Sequence, residues 1–192
     1  MGSAFGLYFE LGVTHILDLQ GIDHMVFILA IASTYRFTDW RKLLIMVTAF
    51  TVGHSVTLAL AALDVFKVNE MLVETLIPIT LIITALVNLG KTSQKVNRTA
   101  VYGLILIFGL IHGLGFSNFF NALMDDRQEV VSSLFAFNLG IEAAQIAIVL
   151  ALLVLSEIFD FIKPKAKKMR VIFINGGVFF LALQILLDVV ID

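Results

Sequence analysis

Long apolar stretches separated by short polar connections dominate this 192-residue chain. Residues 43 to 63 contain no Asp, Glu, Lys or Arg, and neither do residues 99 to 124. Both exceed the ~20 residues that a helix needs to cross a bilayer. Residues 130 to 156 are interrupted only by Glu142, residues 71 to 90 only by Glu74, and residues 171 to 187 by no charge at all. Pro78 predicts a kink in the second of these, of a kind that membrane helices tolerate. The first apolar stretch, 5 to 35, is broken by Glu10, His15, Asp18, Gly21, Asp23 and His24. As one helix it would measure ~46 Å, too long for one crossing and too short for two with a turn. The pattern therefore predicts a short amphipathic or re-entrant N-terminal segment, a break near Gly21, and about six crossings. Their approximate spans are 20–36, 43–64, 71–90, 99–122, 130–156 and 171–190. The apolar-polar alternation that marks membrane strands is missing from these runs. The expected fold class is thus an all-α integral membrane protein, with residues 1–192 as a single polytopic membrane domain.

Composition agrees. Hydrophobic residues make up 59% and charged residues 15%, with a mean hydropathy of +0.99, where a soluble domain has roughly 45–50% apolar and 25% charged residues. An ordinary water-soluble fold is excluded. The connections carry the orientation signal. Arg36, Arg41 and Lys42, then Lys91, Lys95 and Arg98, then Lys163, Lys165, Lys167, Lys168 and Arg170 hold all but two of the 13 basic residues. They alternate with connections carrying Asp64, Glu70, Asp125, Asp126 and Glu129. By the positive-inside rule the basic connections face the cytoplasm, and both termini are expected outside. No Lys or Arg precedes the first apolar stretch, so the N-terminus does not read as a cleavable signal. The absence of cysteine removes disulfides, thiolate ligands and a cysteine nucleophile. With no basic patch and no glycine-rich phosphate loop, neither nucleic acid nor nucleotide is an expected partner.

The candidate chemistry lies inside the apolar spans. All four histidines, His15, His24, His54 and His112, sit in or beside them, and Asp23 and Glu142 are the carboxylates placed within spans away from their edges. A carboxylate in a membrane helix costs several kcal/mol unless it faces the bundle interior and pairs with something. Counted from the outward end of each span at ~1.5 Å per residue, His24 lies about 6 Å deep, His54 and His112 about 15 Å, and Glu142 about 18 Å. Four helices thus offer these groups in the outer half of the bilayer. Imidazole with carboxylate suits a divalent transition metal, with nickel or zinc foremost. Asp23 and His24 point about 100 degrees apart on a helix and reach one site only at a helix end or break, which Gly21 supplies. Asn138, Glu142 and Gln145 share one helix stripe. Thr51, Ser55 and Thr57 flank His54 and are candidate outer partners of its ring. Gly109 and Gly113 bracket His112 and read as close helix packing. The 17 phenylalanines read as lipid-facing or core bulk, and Trp40 as an interfacial anchor. Each polar residue alone also fits interhelical hydrogen bonding, and Glu142 also fits an ion-pair or proton-relay acid.

The runs HILDLQGIDHMVF (15 to 27), FTVGHSVTLAL (50 to 60), GLIHGLGFS (109 to 117) and FNLGIEAAQI (137 to 146) together resemble the HupE/UreJ family of small multi-helix bacterial membrane proteins. Members are associated with nickel uptake for hydrogenase and urease. The resemblance therefore implies a metal-ion permease of the bacterial inner membrane, and metal ligands at His15, Asp23 and His24. Here seven residues separate His15 from Asp23, where the family's His…Asp-His signature has five, and the signal peptide of many members is not evident. Metalloenzyme maturation proteins or a second copy of the chain are the partners such a role implies.

Three functions compete for the same residues. A permease uses a transient site near the bilayer midplane, here of His24, His54, His112, Asp23, Glu142 and His15, with Asn138, Gln145, Thr51 and Ser55 behind them. An intramembrane metal hydrolase uses three histidines on a metal with Glu142 or Asp23 as general base. A metal-stabilised structural protein closes the same shell without turnover. A serine hydrolase is disfavoured, because no Gly-x-Ser-x-Gly occurs around Ser55 or Ser117.

Overall fold

Where no water can pair with the backbone, an apolar chain satisfies its N–H and C=O groups within the segment and becomes helical. The computed structural model, which describes residues 4–18, 21–63, 65, 69–90, 98–117, 120, 130–163 and 167–191, is built that way. Its helices are α1 (Ala4–Leu17), α2 (Asp23–Ala32), α3 (Trp40–Ala62, entered through a 3-10 turn at Phe37–Asp39), α4 (Glu70–Gly90), α5 (Arg98–Gly115), α6 (Val130–Ile162) and α7 (Lys167–Ile191). Among the described residues, four helical stretches are long and apolar enough to cross a membrane: Phe37–Ala62, Glu70–Gly90, Val130–Ile162 and Lys167–Ile191. Ala4–Leu17, Asp23–Ala32 and Val101–Gly115 are shorter apolar helices. Pro78 is accommodated inside α4. Asp64, Lys91, Lys95, Asp125, Asp126, Glu129 and Lys165, used above for orientation, lie outside the described residues.

Of the expected span 99–122, helix α5 covers residues to Gly115, and 118, 119, 121 and 122 lie outside the described residues. Elsewhere the structure differs from the sequence expectation at two places. The expected span 20–36 contains only the ten residues of α2, ~15 Å of helix, which is too short to cross alone. Its start follows the turn at Gly21 and Ile22, where the Asp23 carboxylate accepts the His24 backbone N–H at 2.9 Å. Its end comes where Ser33 and Thr34 hydroxyls donate to the carbonyls of Ala30 and Ile31 at 2.7 and 3.0 Å, and the backbone tightens into a turn. The second difference is the basic connection 157–170, most of which is helical. Helix α6 continues to Ile162 and α7 begins at Lys167, so Arg170 is a helical residue and only 8% exposed. Its guanidinium donates to Ser156 Oγ at 2.6 Å and to Asp160 Oδ2 at 3.0 Å, which compensates the burial.

Three helix pairs make the body: α3 along α5, α1 along α6 and α4 along α7, with α3 also against α6 and α2 between α4, α6 and α7. Glycine allows the closest of these approaches. A Cβ at Gly12 would collide with the Phe137 carbonyl, and one at Gly140 with the Phe9 carbonyl, so α1 and α6 cross backbone to backbone. On α5, Gly109 meets Phe50 and Gly113 meets His54 in the same order, so α3 and α5 run parallel. These contacts set the histidines of α3 and α5 side by side. Phe27, Phe50, Phe108, Phe120 and Phe137 are fully buried, whereas Phe161 and Phe173 are almost fully exposed.

Candidate metal centre

The break between α1 and α2 brings the end of one helix and the start of the next together against α3 and α5. His15, two residues before the end of α1, puts its ring 4.7 Å from that of His24, and 5.9 Å from that of His54. The His24 and His112 rings are 4.8 Å apart, centre to centre. Two groups of ligand atoms result: His15, His24 and His54, and Asp23, His24 and His112, each with its atoms within 4.8 Å of one another. His24 belongs to both. Donor atoms around a tetrahedral metal with ~2.0–2.1 Å bonds stand roughly 3.3 Å apart, so small side-chain movements close either group around an ion.

Asp23 organises the centre. Its Oδ1 is 3.0 Å from His24 Nδ1, and its Oδ2 is 3.2 Å from His112 Nε2. A His24 ring that donates from Nδ1 to the carboxylate keeps Nε2 as a lone pair, the arrangement in which an acidic partner fixes the tautomer of a metal-ligating imidazole. His112 Nδ1 lies 3.1 Å from the Phe108 carbonyl, one helical turn back, and serves as donor there. Its Nε2 then carries a lone pair that faces the Asp23 carboxylate, without the alignment of a hydrogen bond. Two electron-rich atoms at that distance call for a cation between or beside them: a metal ion, or a further proton on the ring.

The unpaired atoms are concentrated here. His15 Nε2, His24 Nε2, both nitrogens of His54 and His112 Nε2 are buried and have no hydrogen-bond partner among the described residues. Leaving one buried polar atom unpaired costs about 1–3 kcal/mol, so five in one place make this the part of the described structure with the most capacity to bind a ligand or ordered water. Phenylalanines wall the rings. Phe116 lies 4.1 Å from His15, Phe108 stacks 4.2 Å from His112, and Phe50 stands 5.5 to 6.1 Å from His24, His54 and His112. Apolar walls hold water away and strengthen each ligand contact.

The other candidates fall into place around this set. His15, offset from the family signature, joins the rings all the same. Glu142 stands in neither ligand group: its Oε1 accepts from Thr48 Oγ1 at 2.5 Å, and its Oε2 meets Thr51 Oγ1 at 2.6 Å. Gln145 meets the same threonine, with Oε1 2.9 Å from its hydroxyl. Asn138 comes beside His54, its own Oδ1 also unpartnered. Ser55 and Thr57 donate within α3, to the Thr51 carbonyl and to the Gly53 and His54 carbonyls, so neither hydroxyl holds the His54 ring. Sequence reasoning missed Thr48 and the aromatic wall. Phe50 and Phe108 stand one turn before His54 and His112, a spacing that places ring against ring on one helix face.

No curated protein and no solved structure matches the chain. The family model described as HupE / UreJ protein matches residues 1–190, essentially the whole length, and by that match, together with the four motifs and the apolar helices, the chain belongs to the HupE/UreJ family.

Proposed function

We propose that this protein is a nickel-type transition-metal permease of the bacterial inner membrane, and that His15, His24, His54, His112 and Asp23 bind the ion in transit. The observation that carries the reading is the set of five buried ring nitrogens without hydrogen-bond partners, in two ligand groups that share His24, one of which includes the Asp23 carboxylate. Imidazole nitrogen favours nickel, zinc or cobalt over magnesium and calcium, which take oxygen ligands. Family membership supports the same metal class. A site at a broken helix near mid-membrane fits transport, because a discontinuous helix lets two half-helices move against one another around the cargo. In this reading α1 and α2 together make one interrupted crossing, and α3 to α7 make five more in a single membrane unit. The basic connections are cytoplasmic and both termini outside; cysteines introduced at Ser93 and Asp125 label from opposite faces.

The deciding experiment measures nickel, zinc and cobalt bound per purified chain, then uptake of the bound metal into proteoliposomes. Bound metal that moves across the bilayer supports the permease. Metal that stays bound without uptake favours the structural reading, and metal-dependent cleavage of an ester or amide in lipid favours the hydrolase. A chain that binds none of the three metals overturns the proposal.

A further inference from the structure

Helices α2, α6 and α7 line a groove of about 400 Å³ near the connection that joins α6 to α7. That volume falls within the ~300–1,000 Å³ of small-molecule sites. Its lining has a direction. The deeper walls are apolar, with Leu152 on α6 and Ile174 on α7; one turn nearer the connection stand Ser156 and Arg170, flanked by Phe159 and Met169. Two lysines continue the polar end. Lys163 follows Ser156 by seven residues, two turns along the same helix face, and the Lys163 N–H still donates to the Phe159 carbonyl at 2.9 Å, so the helical course reaches it. Lys167 precedes Arg170 by three residues on α7 and shares its face. Lys163 is exposed and Lys167 half-buried.

Arg170 is the anchor of the groove. It lines the wall yet is 8% exposed, with one terminal nitrogen on Ser156 Oγ and the other on Asp160 Oδ2. A guanidinium has five N–H donors in one plane. The two bonds to α6 fix that plane, and Nε is left buried with no hydrogen-bond partner among the described residues. Asp160 offsets the Arg170 charge, and the two lysines leave the polar end positive.

We propose that this groove binds one anionic phospholipid, its acyl chain between α2, α6 and α7 and its phosphate at Arg170, with Lys163 and Lys167 around the headgroup. The groove and the lipid share one polarity gradient. A hydrocarbon chain needs no hydrogen bonds from Leu152 and Ile174, whereas a phosphate supplies the acceptor that Arg170 Nε lacks. Basic pockets between membrane helices hold acidic headgroups by the same combination. A peptide would instead carry backbone N–H and C=O groups into mostly apolar walls. Asp160 Oδ1, also unpartnered, would suit an ammonium headgroup, and the two lysines weigh against it. Because three helices line the groove, the lipid ties them together at the end of α2 away from the metal centre. The site stands whether or not the permease reading holds.

Native mass spectrometry of the full chain tests the site, with phosphatidylglycerol, phosphatidylethanolamine and inorganic phosphate as probes. The wild type should retain one phosphatidylglycerol, and hold it more tightly than phosphatidylethanolamine. Lys163→Gln and Lys167→Gln should each weaken retention about fivefold, the effect of one basic side chain near an acidic lipid headgroup. Leu155→Trp, at a groove position 61% exposed, puts an indole where the chain lies and should abolish retention without lowering the melting temperature in detergent. Arg170→Lys keeps a charge beside Asp160 but loses the Nε donor, and should also lower retention; if it fails to fold, the lysine and Leu155 variants decide. A wild type that retains no phosphatidylglycerol overturns the proposal. So does equal retention of both lipids that none of these variants changes, which is ordinary bilayer lipid on the surface. Tighter retention of phosphatidylethanolamine would give the headgroup to Asp160 and overturn the anionic choice. Inorganic phosphate bound equally by the wild type and Leu155→Trp, with no lipid retained, would leave an anion site alone and overturn the lipid.

Discussion

The two ends of α2 carry buried polar clusters of opposite character. At its end, Asn88 Nδ2 donates to the Ala30 carbonyl and to Asn175 Oδ1 at 2.9 and 3.0 Å, and Asn175 Nδ2 donates to Ser33 Oγ and the Val171 carbonyl at 2.8 and 2.9 Å. Ser33 in turn donates to Ala30. At its start, the His24, His54 and His112 rings are buried and His15 and Asp23 half-buried, and five ring nitrogens have no hydrogen-bond partner. The two clusters differ most in how far their polar atoms are satisfied. A closed network ties α2 to α4 and α7 and needs nothing further. An open one leaves donors and acceptors free for a partner, which in the permease reading is the ion.

The largest effect should follow loss of a ring from the open cluster. His54→Ala removes two unpartnered nitrogens, and should lower metal affinity by more than the ~10–100-fold that loss of an outer hydrogen-bond partner typically costs. Thermal stability of the metal-free chain should hold or rise, because a buried unpaired group is gone. Metal content per chain and a melting curve in lipid or detergent check both halves. Unchanged metal content would place the ion elsewhere and erase the contrast between the two ends.

Asp23→Asn comes next. The amide keeps the side chain's shape and hydrogen-bonding capacity but loses the negative charge and the fixed tautomer of His24, so affinity should fall about 10–100-fold. Isothermal titration with nickel measures it.

Asn175→Leu probes the closed cluster and should invert the pattern. It strands donors or acceptors of Asn88 and Ser33, and should destabilise the fold by about 1–3 kcal/mol. Metal affinity should stay close to wild type. If affinity collapses instead while the fold survives, the clamp is part of the transport path and the two ends are one system.

How far this contrast was legible in the sequence depends on the residue. The apolar runs 43–64, 71–90, 130–156 and 171–190 are helical at nearly their full extents, because nearly charge-free stretches of bilayer length leave the backbone no alternative. Gly21 lies between the end of α1 and the start of α2. The ten-residue length of α2 was hidden, since the hydroxyls of Ser33 and Thr34 and two asparagines more than fifty residues downstream hold its end. Depth counting expects His54 level with His112, and the parallel run of α3 and α5 brings their two backbones together, Gly113 against the His54 carbonyl. It failed to separate Glu142 from the rings, because depth is one coordinate and says nothing of which neighbour a helix face meets. His15 shows the converse: its linear spacing departs from the family signature, yet the break carries it to His24. Arg170 escaped for a simpler reason. A basic residue at a span's edge reads as a connection, whereas here Ser156 and Asp160 partner its guanidinium within the helical pair.

The smallest effect is expected at Ser55, and it sharpens the contrast because the sequence favours that position. Ser55 is the chain neighbour of His54, and a hydroxyl there looks suited to hold the ring. On a helix, however, successive residues point about 100 degrees apart, and the Ser55 hydroxyl donates 2.6 Å back to the Thr51 carbonyl within its own helix. Both His54 nitrogens remain unpartnered beside it. Ser55→Ala removes a bond to a carbonyl already used by the helix and slightly favours helix geometry, so stability should change by no more than about 0.5 kcal/mol and metal affinity should not change measurably. Titration of the variant with nickel alongside His54→Ala makes the comparison on one scale. A loss at Ser55→Ala comparable to that at Asp23→Asn would mean that the hydroxyl turns to the ring once the ion arrives, and that the open cluster completes itself from its own helix and not through the ion alone.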